Sequence, residues 1–543
     1  VKTRQTIIGA CICLAASFFF VKSQAQTDTS TEGLRQKVLG LKIPGLMITG
    51  IQRIDAGSWQ PPAAANTFEG LPAFWRVTAT LTPTPASHIK IELWMPRSNW
   101  NGRFLGTGNG GSAGKIVYDK LVQGLKRGYA TANTDMGTSP GADSAIHYPE
   151  RWADFGYRAT HLMTVVSKQI VKACYGKAAH HAYFMGCSTG GQQALMEAQR
   201  YPGDYNGIIA GAPANNRTHL HTGFLLNHKA TNAATGGLFS ATDLSYISRT
   251  IVSAFAGKDG GAASDSFLTD PRVIQVDFDT LFKRSGDSTD PGLTAIQIAA
   301  LKKIYAGPVN PRTAEQIYCA PPLGSEICDG GLAYQQTNSG ATGLLYPYRW
   351  AFGAGFDYHQ FDFDKDQATL DSVLAPVLNA NNPDLNGFAK SGGKLIMFTG
   401  TADALVPYGD AINYYERVVQ LQGGLKNTQR FFRYFLVPGM GHCGGGPGLN
   451  DFGQNANTIA KPDSEHDILI ALVEWVEQGI APGKIIASAL NCCGNTAPRF
   501  QRPVYPYPKI PAYTGGDPSL PSSYKAVIHP RGGVLTPAKK YLR

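Results

Sequence analysis

The chain has no run of lysine and arginine interleaved with aromatic side chains anywhere in its 543 residues. Without such a footprint it has no means of tracking a nucleic-acid backbone. Charge is sparse as a whole, at 16% of residues, and the 43% hydrophobic fraction beside it describes a packed globular protein rather than a disordered one. The basic excess is modest, 49 Lys and Arg against 39 Asp and Glu, and attracts anionic substrates only through a general surface field. Past residue 21 no apolar run is long enough to span a bilayer. Residues 1–25 read as an export signal, with Lys2 and Arg4 at its head, an apolar run over residues 7–21, and Ser23 and Ala25 at the cleavage point. A secreted or periplasmic protein with no membrane contact after signal removal is therefore expected. Cysteine is scarce too. Of nine, Cys11 and Cys13 leave with the signal, and Cys174, Cys187, Cys319, Cys328, Cys443, Cys492 and Cys493 remain. An odd number in an oxidising compartment leaves at least one thiol unpaired. Cys319 and Cys328 flank a Pro-Pro-Leu-Gly turn and are placed to close a local loop, whereas Cys174 sits on an apolar helical stretch and reads as a core thiol.

What is present centres on residues 183–191, Tyr-Phe-Met-Gly-Cys-Ser-Thr-Gly-Gly, followed at once by a helix-like stretch. An apolar run ending in G-x-S-x-G (Gly186, Ser188, Gly190) is a strand, a sharp turn and a helix. In an α/β-hydrolase that turn exposes a nucleophilic serine, and small residues flank it because side chains there would collide. Ser188 is the candidate nucleophile. Upstream, alternating segments between residues 74 and 96 read as antiparallel strands at one edge of a sheet. They lead to a glycine-dense loop at 106–111, where backbone N–H groups can approach a ligand.

That loop supports a rival reading. Gly106, Gly108 and Gly111 fit G-x-G-x-x-G, and Asp135 ends a later strand-like run where a ribose-binding acid would stand. A dinucleotide-dependent redox enzyme would, however, leave the serine turn unused. The hydrolase reading uses both loops: the glycine-rich turn supplies one oxyanion N–H, and Thr189, the residue after the nucleophile, supplies the other.

After a buried strand at 207–211 the composition shifts to Gly, Ala, Asn, Asp and Thr from residue 214 to 391, without sustained alternation of strand and helix. This stretch reads as an inserted lid. Its aromatics at Tyr346, Tyr348, Trp350, Phe352, Phe356 and Tyr358 read mainly as its own core, with Trp350 and Phe352 the candidates for stacking on a planar substrate. The sheet pattern returns at 394–400 and runs into Asp403; a further strand at 431–437 runs into His442. Ser188, Asp403 and His442 stand in the order nucleophile, acid, base, each just past a strand. Cys187 directly precedes the serine and Cys443 directly follows the histidine, so a bridge between them would pin nucleophile to base. The expected architecture is an α/β-hydrolase fold in two parts, 26–213 and 392–543, with a lid at 214–391.

Four stretches together resemble the tannase and feruloyl esterase family, which includes enzymes that hydrolyse mono(2-hydroxyethyl) terephthalate. They are Gly-Cys-Ser-Thr-Gly-Gly at 186–191, Gly-Ile-Ile-Ala-Gly-Ala-Pro at 207–213, Asp403, and Val-Pro-Gly-Met-Gly-His-Cys-Gly-Gly-Gly-Pro-Gly at 437–448. The resemblance implies a Ser-His-Asp esterase, a Cys187–Cys443 bridge, and oxyanion donors at the N–H groups of Gly111 and Thr189. It implies as substrates hydroxycinnamoyl esters of plant-wall sugars, galloyl esters, or a terephthalate half-ester. It also implies a calcium loop in the lid, but Phe255 and Ala256 stand where a cysteine and an aspartate are expected. Asp259 and Asp265 alone make a poor hard-cation cage, and no cofactor is expected to be required for catalysis. Val504 likewise stands where some relatives carry a cysteine. A catalytically silent phenolic or polysaccharide binder on the same scaffold is the competing class; it would have no need to keep all three residues.

Overall fold

Nine stretches rich in apolar and small residues pair into one mixed sheet. In the computed structural model, which describes residues 31–282, 292–456, 458–490, 497–529 and 532–543, the strands are β1 (Leu46–Ile54), β2 (Phe74–Leu81), β3 (Ile89–Pro96), β4 (Arg103–Thr107), β5 (Ala130–Thr134), β6 (His181–Cys187), β7 (Gly207–Gly211), β8 (Lys394–Gly400) and β9 (Phe432–Val437). The export signal, Cys492 and Cys493 lie outside the described residues. The spatial order is β1-β2-β3-β5-β4-β6-β7-β8-β9. The first three strands and the β3–β5 pair run antiparallel, and every pairing from β5 through β9 is parallel.

Burial follows from that arrangement. β2 alternates between buried and half-buried positions, whereas β5 and β7 are buried at every position, as expected where helices cover both faces of parallel strands. Alternate residues of each strand point to opposite faces. Phe184, Ile208 and Leu395 join one core cluster, and Tyr183, Ile209 and Ile396 join another. Helices α1 (Ala159–Tyr175) and α2 (Thr189–Arg200) contribute to the first cluster.

Residues 212–393 add no strand to the sheet. They carry helices α3 (Arg217–Thr231), α4 (Ala241–Phe255) and α5 (Lys365–Leu378) and a separate apolar cluster around Leu244, Ile247, Ile251, Phe282 and Leu301. The aromatics at 346–350 behave otherwise than the sequence suggests. Tyr346, Tyr348 and Trp350 pack into the same cluster as the sheet residues, so this part of the insertion is fused to the main core. Helices α6 (Tyr408–Leu421) and α7 (Ile468–Gln478) return the chain to the sheet, with α7 residues in the second cluster.

One ion pair ties an early strand to the last of these helices. Arg103, at the start of β4, grips Glu477 at the end of α7 with two hydrogen bonds of 2.7 and 2.6 Å, and the Tyr183 hydroxyl adds a third of 2.7 Å. The guanidinium, aided by that hydroxyl, holds the Glu477 carboxyl down at about 2. A depressed carboxyl contributes stability above its ordinary range and loses it as pH falls toward the depressed value. Glu477→Gln is therefore expected to cost about 2 kcal/mol at pH 7, with the gap to the wild type narrowing near pH 2; urea-denaturation midpoints at the two pH values check this.

Candidate active site

The turn between β6 and α2 carries Ser188 at φ +66° and ψ −120°, a left-handed backbone that a side-chain-bearing residue adopts only when its surroundings impose it. The surroundings are glycines. A Cβ on Gly108 would lie 2.5 Å from the Gly190 Cα and 2.9 Å from the Gly186 Cα, and one on Gly186 would lie 2.3 Å from the Gly190 oxygen. Three backbones thus touch directly. The Ser188 N–H donates to Gly211 O at 3.0 Å and the Ser188 carbonyl accepts from Ala214 at 3.1 Å, so the turn is clamped to the end of β7.

Asp403 follows β8 and is fully buried. Its Oδ1 accepts the N–H groups of Leu405 and Val406 at 3.0 and 2.8 Å, and its Oδ2 pairs with His442 Nδ1 at 2.9 Å. These three bonds leave the carboxylate one orientation. His442, 15% exposed, follows β9. Strands about 4.8 Å apart place the end of β9 roughly 14 Å from that of β6, so the histidine loop must fold back over the sheet end to reach the serine. The Cys187–Cys443 disulfide holds it there, with Cα atoms 5.9 Å apart across 256 residues of sequence. In the chain-entropy account a loop of that length contributes roughly 5 kcal/mol. Neither the Ser188 hydroxyl nor His442 Nε2 has a hydrogen-bond partner among the described residues, so the two are not bonded to each other here; such bonds often tighten only once substrate is bound.

The neighbouring amides are equally open. Among the described residues neither the Thr189 N–H nor the Gly111 N–H has an acceptor. The Thr189 hydroxyl donates to Gly111 O at 2.6 Å, which joins the two segments. Deeper in the same loop, Asn109 N–H donates to Gln193 Oε1 at 2.8 Å, and Gly190 N–H donates to Asn109 O at 2.8 Å. The glycine-rich loop is therefore stitched to the serine turn and its helix. Gly108 serves that close approach. Asp135, the acid of the dinucleotide reading, is buried and accepts the Lys90 and Gly137 N–H groups at 2.9 and 2.8 Å, and burial pushes its carboxyl up to about 6.

Two expectations need correction. Cys319 and Cys328 do not form a disulfide; both are free and buried. The chain between them packs them into different clusters, Cys319 beside Tyr318 and Val406, Cys328 beside Ala402 and Ala404. Trp350 is a core residue. It is 2% exposed, donates its indole N–H to Ala142 O at 2.8 Å, and meets Trp152, Phe155 and Tyr346, so no ring face is free for a substrate. Phe352 is half-buried with one face covered by Phe356, centroids 4.6 Å apart. Finally, the carboxylates at the implied calcium loop are already engaged. Asp259 accepts the N–H groups of Gly261, Thr269 and Asp270. Both Asp265 oxygens are taken by Arg502 at 2.6 and 2.8 Å, and that guanidinium lies 4.6 to 5.1 Å from the rings of Tyr524, Phe500 and Phe267. A cation cage needing six to eight oxygens does not fit here. Cys174 is free and half-buried, its thiol pushed up to about 12 by burial.

Sequence reasoning missed Arg217 and Tyr346 as members of this neighbourhood. Arg217 Nη2 donates to Thr189 Oγ1 at 3.0 Å, and its Nη1 donates to Tyr346 Oη at 2.7 Å. One signal was available. Arg217 is the first residue of α3, where the helix dipole disfavours a cation.

A family profile described as "Tannase and feruloyl esterase" matches residues 76–527. An uncharacterized esterase of Xanthomonas campestris pv. campestris is 36% identical over 94% of both chains. Feruloyl esterase B of Aspergillus niger is 32% identical over 83% of this chain and 86% of its own. The crystal structure of feruloyl esterase B from Aspergillus oryzae superposes with a TM-score of 0.83 at 26% identity, covering 91% of this chain and 100% of that one.

Replacing both bridge cysteines, Cys187→Ser with Cys443→Ser, is expected to lower kcat on an ester substrate about 10- to 100-fold by loosening the His442 loop. Cys174→Ser should leave kcat unchanged. Steady-state kinetics of the variants, beside thermal unfolding, checks both statements.

Proposed function

Because the chain belongs to the tannase and feruloyl esterase family, we propose that Ser188, His442 and Asp403 serve as nucleophile, general base and orienting acid in the hydrolysis of aromatic acid esters. The chain is a carboxylic ester hydrolase of the feruloyl esterase and tannase type. The observation that carries the assignment is the fixed Asp403–His442 pair tied by the Cys187–Cys443 bridge to the serine turn.

In this scheme Asp403 Oδ2 accepts the Nδ1 proton of His442, which leaves Nε2 as the base. Ser188 Oγ gives its proton to Nε2 and attacks the ester carbonyl. The amides of Thr189 and Gly111, free of other acceptors, take the oxyanion. His442 then protonates the departing alcohol, and water resolves the acyl-enzyme by the same steps in reverse. The segment 214–391 acts as an inserted lid on an α/β-hydrolase fold formed by 26–213 and 392–543. Its lack of sheet strands and its own apolar cluster support that reading. The reading of residues 1–25 as an export signal supports a place outside the cytoplasm, and no helix among the described residues is long and apolar enough to cross a membrane. Feruloyl and related hydroxycinnamoyl esters, or galloyl esters, are the substrate class, following the activities named for the family and for the Aspergillus relatives.

Ser188→Ala is expected to cut kcat by about 10^4 or more and to abolish covalent labelling by a fluorophosphonate probe. Methyl ferulate, methyl gallate, mono(2-hydroxyethyl) terephthalate and p-nitrophenyl acetate assayed side by side identify the acyl group. Wild-type turnover or labelling in the alanine variant would remove Ser188 from the mechanism.

A further inference from the structure

The acyl-transfer steps above do not call on Arg217, yet its burial is unfavourable unless something compensates. The side chain is 3% exposed, and its Nε has no hydrogen-bond partner. Among the described residues no carboxylate pairs with it; its polar neighbours are Tyr346, Thr189 and Gln192, at 2.7, 3.0 and 3.4 Å, and the Phe155 ring lies 5.4 Å from Cζ. The nearby His221 adds no second charge. Burial, then the arginine itself, brings its imidazole down to about 3, and its Nδ1–H donates to Leu344 O. A desolvated guanidinium without a counter-charge is among the least favourable groups to bury.

What Arg217 contacts accounts for its place. A guanidinium only donates hydrogen bonds, so Thr189 Oγ1 must accept from it. The single hydroxyl proton of Thr189 then goes to its other neighbour, Gly111 O at 2.6 Å. Gly111 has need of such a tether. Gly110 and Gly111 are exposed, Gly111 lies at φ +57°, and a Cβ at either position would meet nothing within 4 Å. Side-chain-sized packing therefore does not hold the tip of the loop at these two residues. The two amides without acceptors, on Thr189 and Gly111, are the residues at either end of this hydroxyl bond.

Resting on the ester-hydrolase reading, we infer that Arg217 is a positioning residue for the oxyanion hole. By donating to Thr189 Oγ1 it commits the threonine hydroxyl to Gly111 O and holds both amide donors in one geometry. A charge-assisted bond is stronger than its neutral equivalent, and preorganised donors act without reorganising as the oxyanion forms. The positive charge also sits behind the place where negative charge develops, which offsets its burial during the reaction.

The test uses Arg217→Met, Thr189→Val and the double variant in the full chain, with Ser188→Ala as control. It measures kcat and KM on the best methyl ester, inhibition by phenylboronic acid, whose serine adduct is a tetrahedral anion, and binding of the free product acid. Each single variant is expected to lose about 10- to 100-fold in kcat with KM within about twofold. Boronate affinity should fall in parallel while product-acid binding holds. The double variant should be no slower than the slower single one, because both break one relay. Wild-type kcat and boronate affinity in Thr189→Val, a loss confined to KM, or multiplied losses in the double variant would each overturn the inference. Thr189→Val removes only a hydroxyl, so it decides the matter if Arg217→Met fails to fold. An active Ser188→Ala would sink the hydrolase reading itself; an inactive one beside an unaffected Thr189→Val sinks the relay alone.

Discussion

A serine held in left-handed backbone geometry is the constraint on which the site depends. L-residues avoid φ near +66° unless neighbouring structure over-determines it. Here the contacts among Gly108, Gly186 and Gly190 do so, reinforced by the bonds of Ser188 to the ends of β7. The same contacts bring the glycine-rich loop onto the first turn of α2, so the strain that lifts the hydroxyl clear of the sheet also delivers the second amide donor. The two functions are inseparable because they share one backbone-to-backbone interface, where even a methyl group would intrude.

Parallel strands explain why the other two catalytic candidates arrive where they do, and also why they need help. β6 and β7 end level at Cys187 and Gly211, and β8 and β9 run two residues beyond, to Gly400 and Val437, at the same edge of the sheet. These parallel ends put Asp403 and His442 on the same rim as Ser188 but two and three strand spacings away. Asp403 is held by amides of its own loop, a local solution. His442 lies farther off and is held from outside, by Asp403 on one side and by the adjacent disulfide on the other. A covalent link suits this position because the glycine-rich loop around His442 has little apolar surface with which to pack.

Buried cations recur around this centre, and each is handled differently. Arg272 pairs with Asp270, and Arg502 pairs with Asp265 inside a box of aromatic rings. The second of these takes up both oxygens of Asp265. Among the described residues Arg217 has only neutral partners. That contrast marks it out, since the protein supplies carboxylates for its other deeply buried guanidiniums and leaves this one facing the hydroxyl that joins the two oxyanion amides.

The serine turn was legible in the sequence because it is written in a few contiguous residues, and so was the pairing of Cys187 with Cys443, because each cysteine adjoins a candidate catalytic residue at a strand end. So were the antiparallel strands at 74–96, although the edge itself is β1, which pairs outside them. The fates of Cys319, Trp350 and Asp135 were not. Whether a thiol finds a partner, a ring keeps an open face or a carboxylate points into a loop depends on what packs against it from elsewhere in the chain, and no local pattern encodes that. Arg217 belongs with these. The sequence by itself determined which groups are candidates for the chemistry and on which strand ends they stand; only the tertiary structure decided which polar groups remain unpaired beside them, because hydrogen-bond satisfaction there is settled by neighbours 28 to 129 residues apart in the chain.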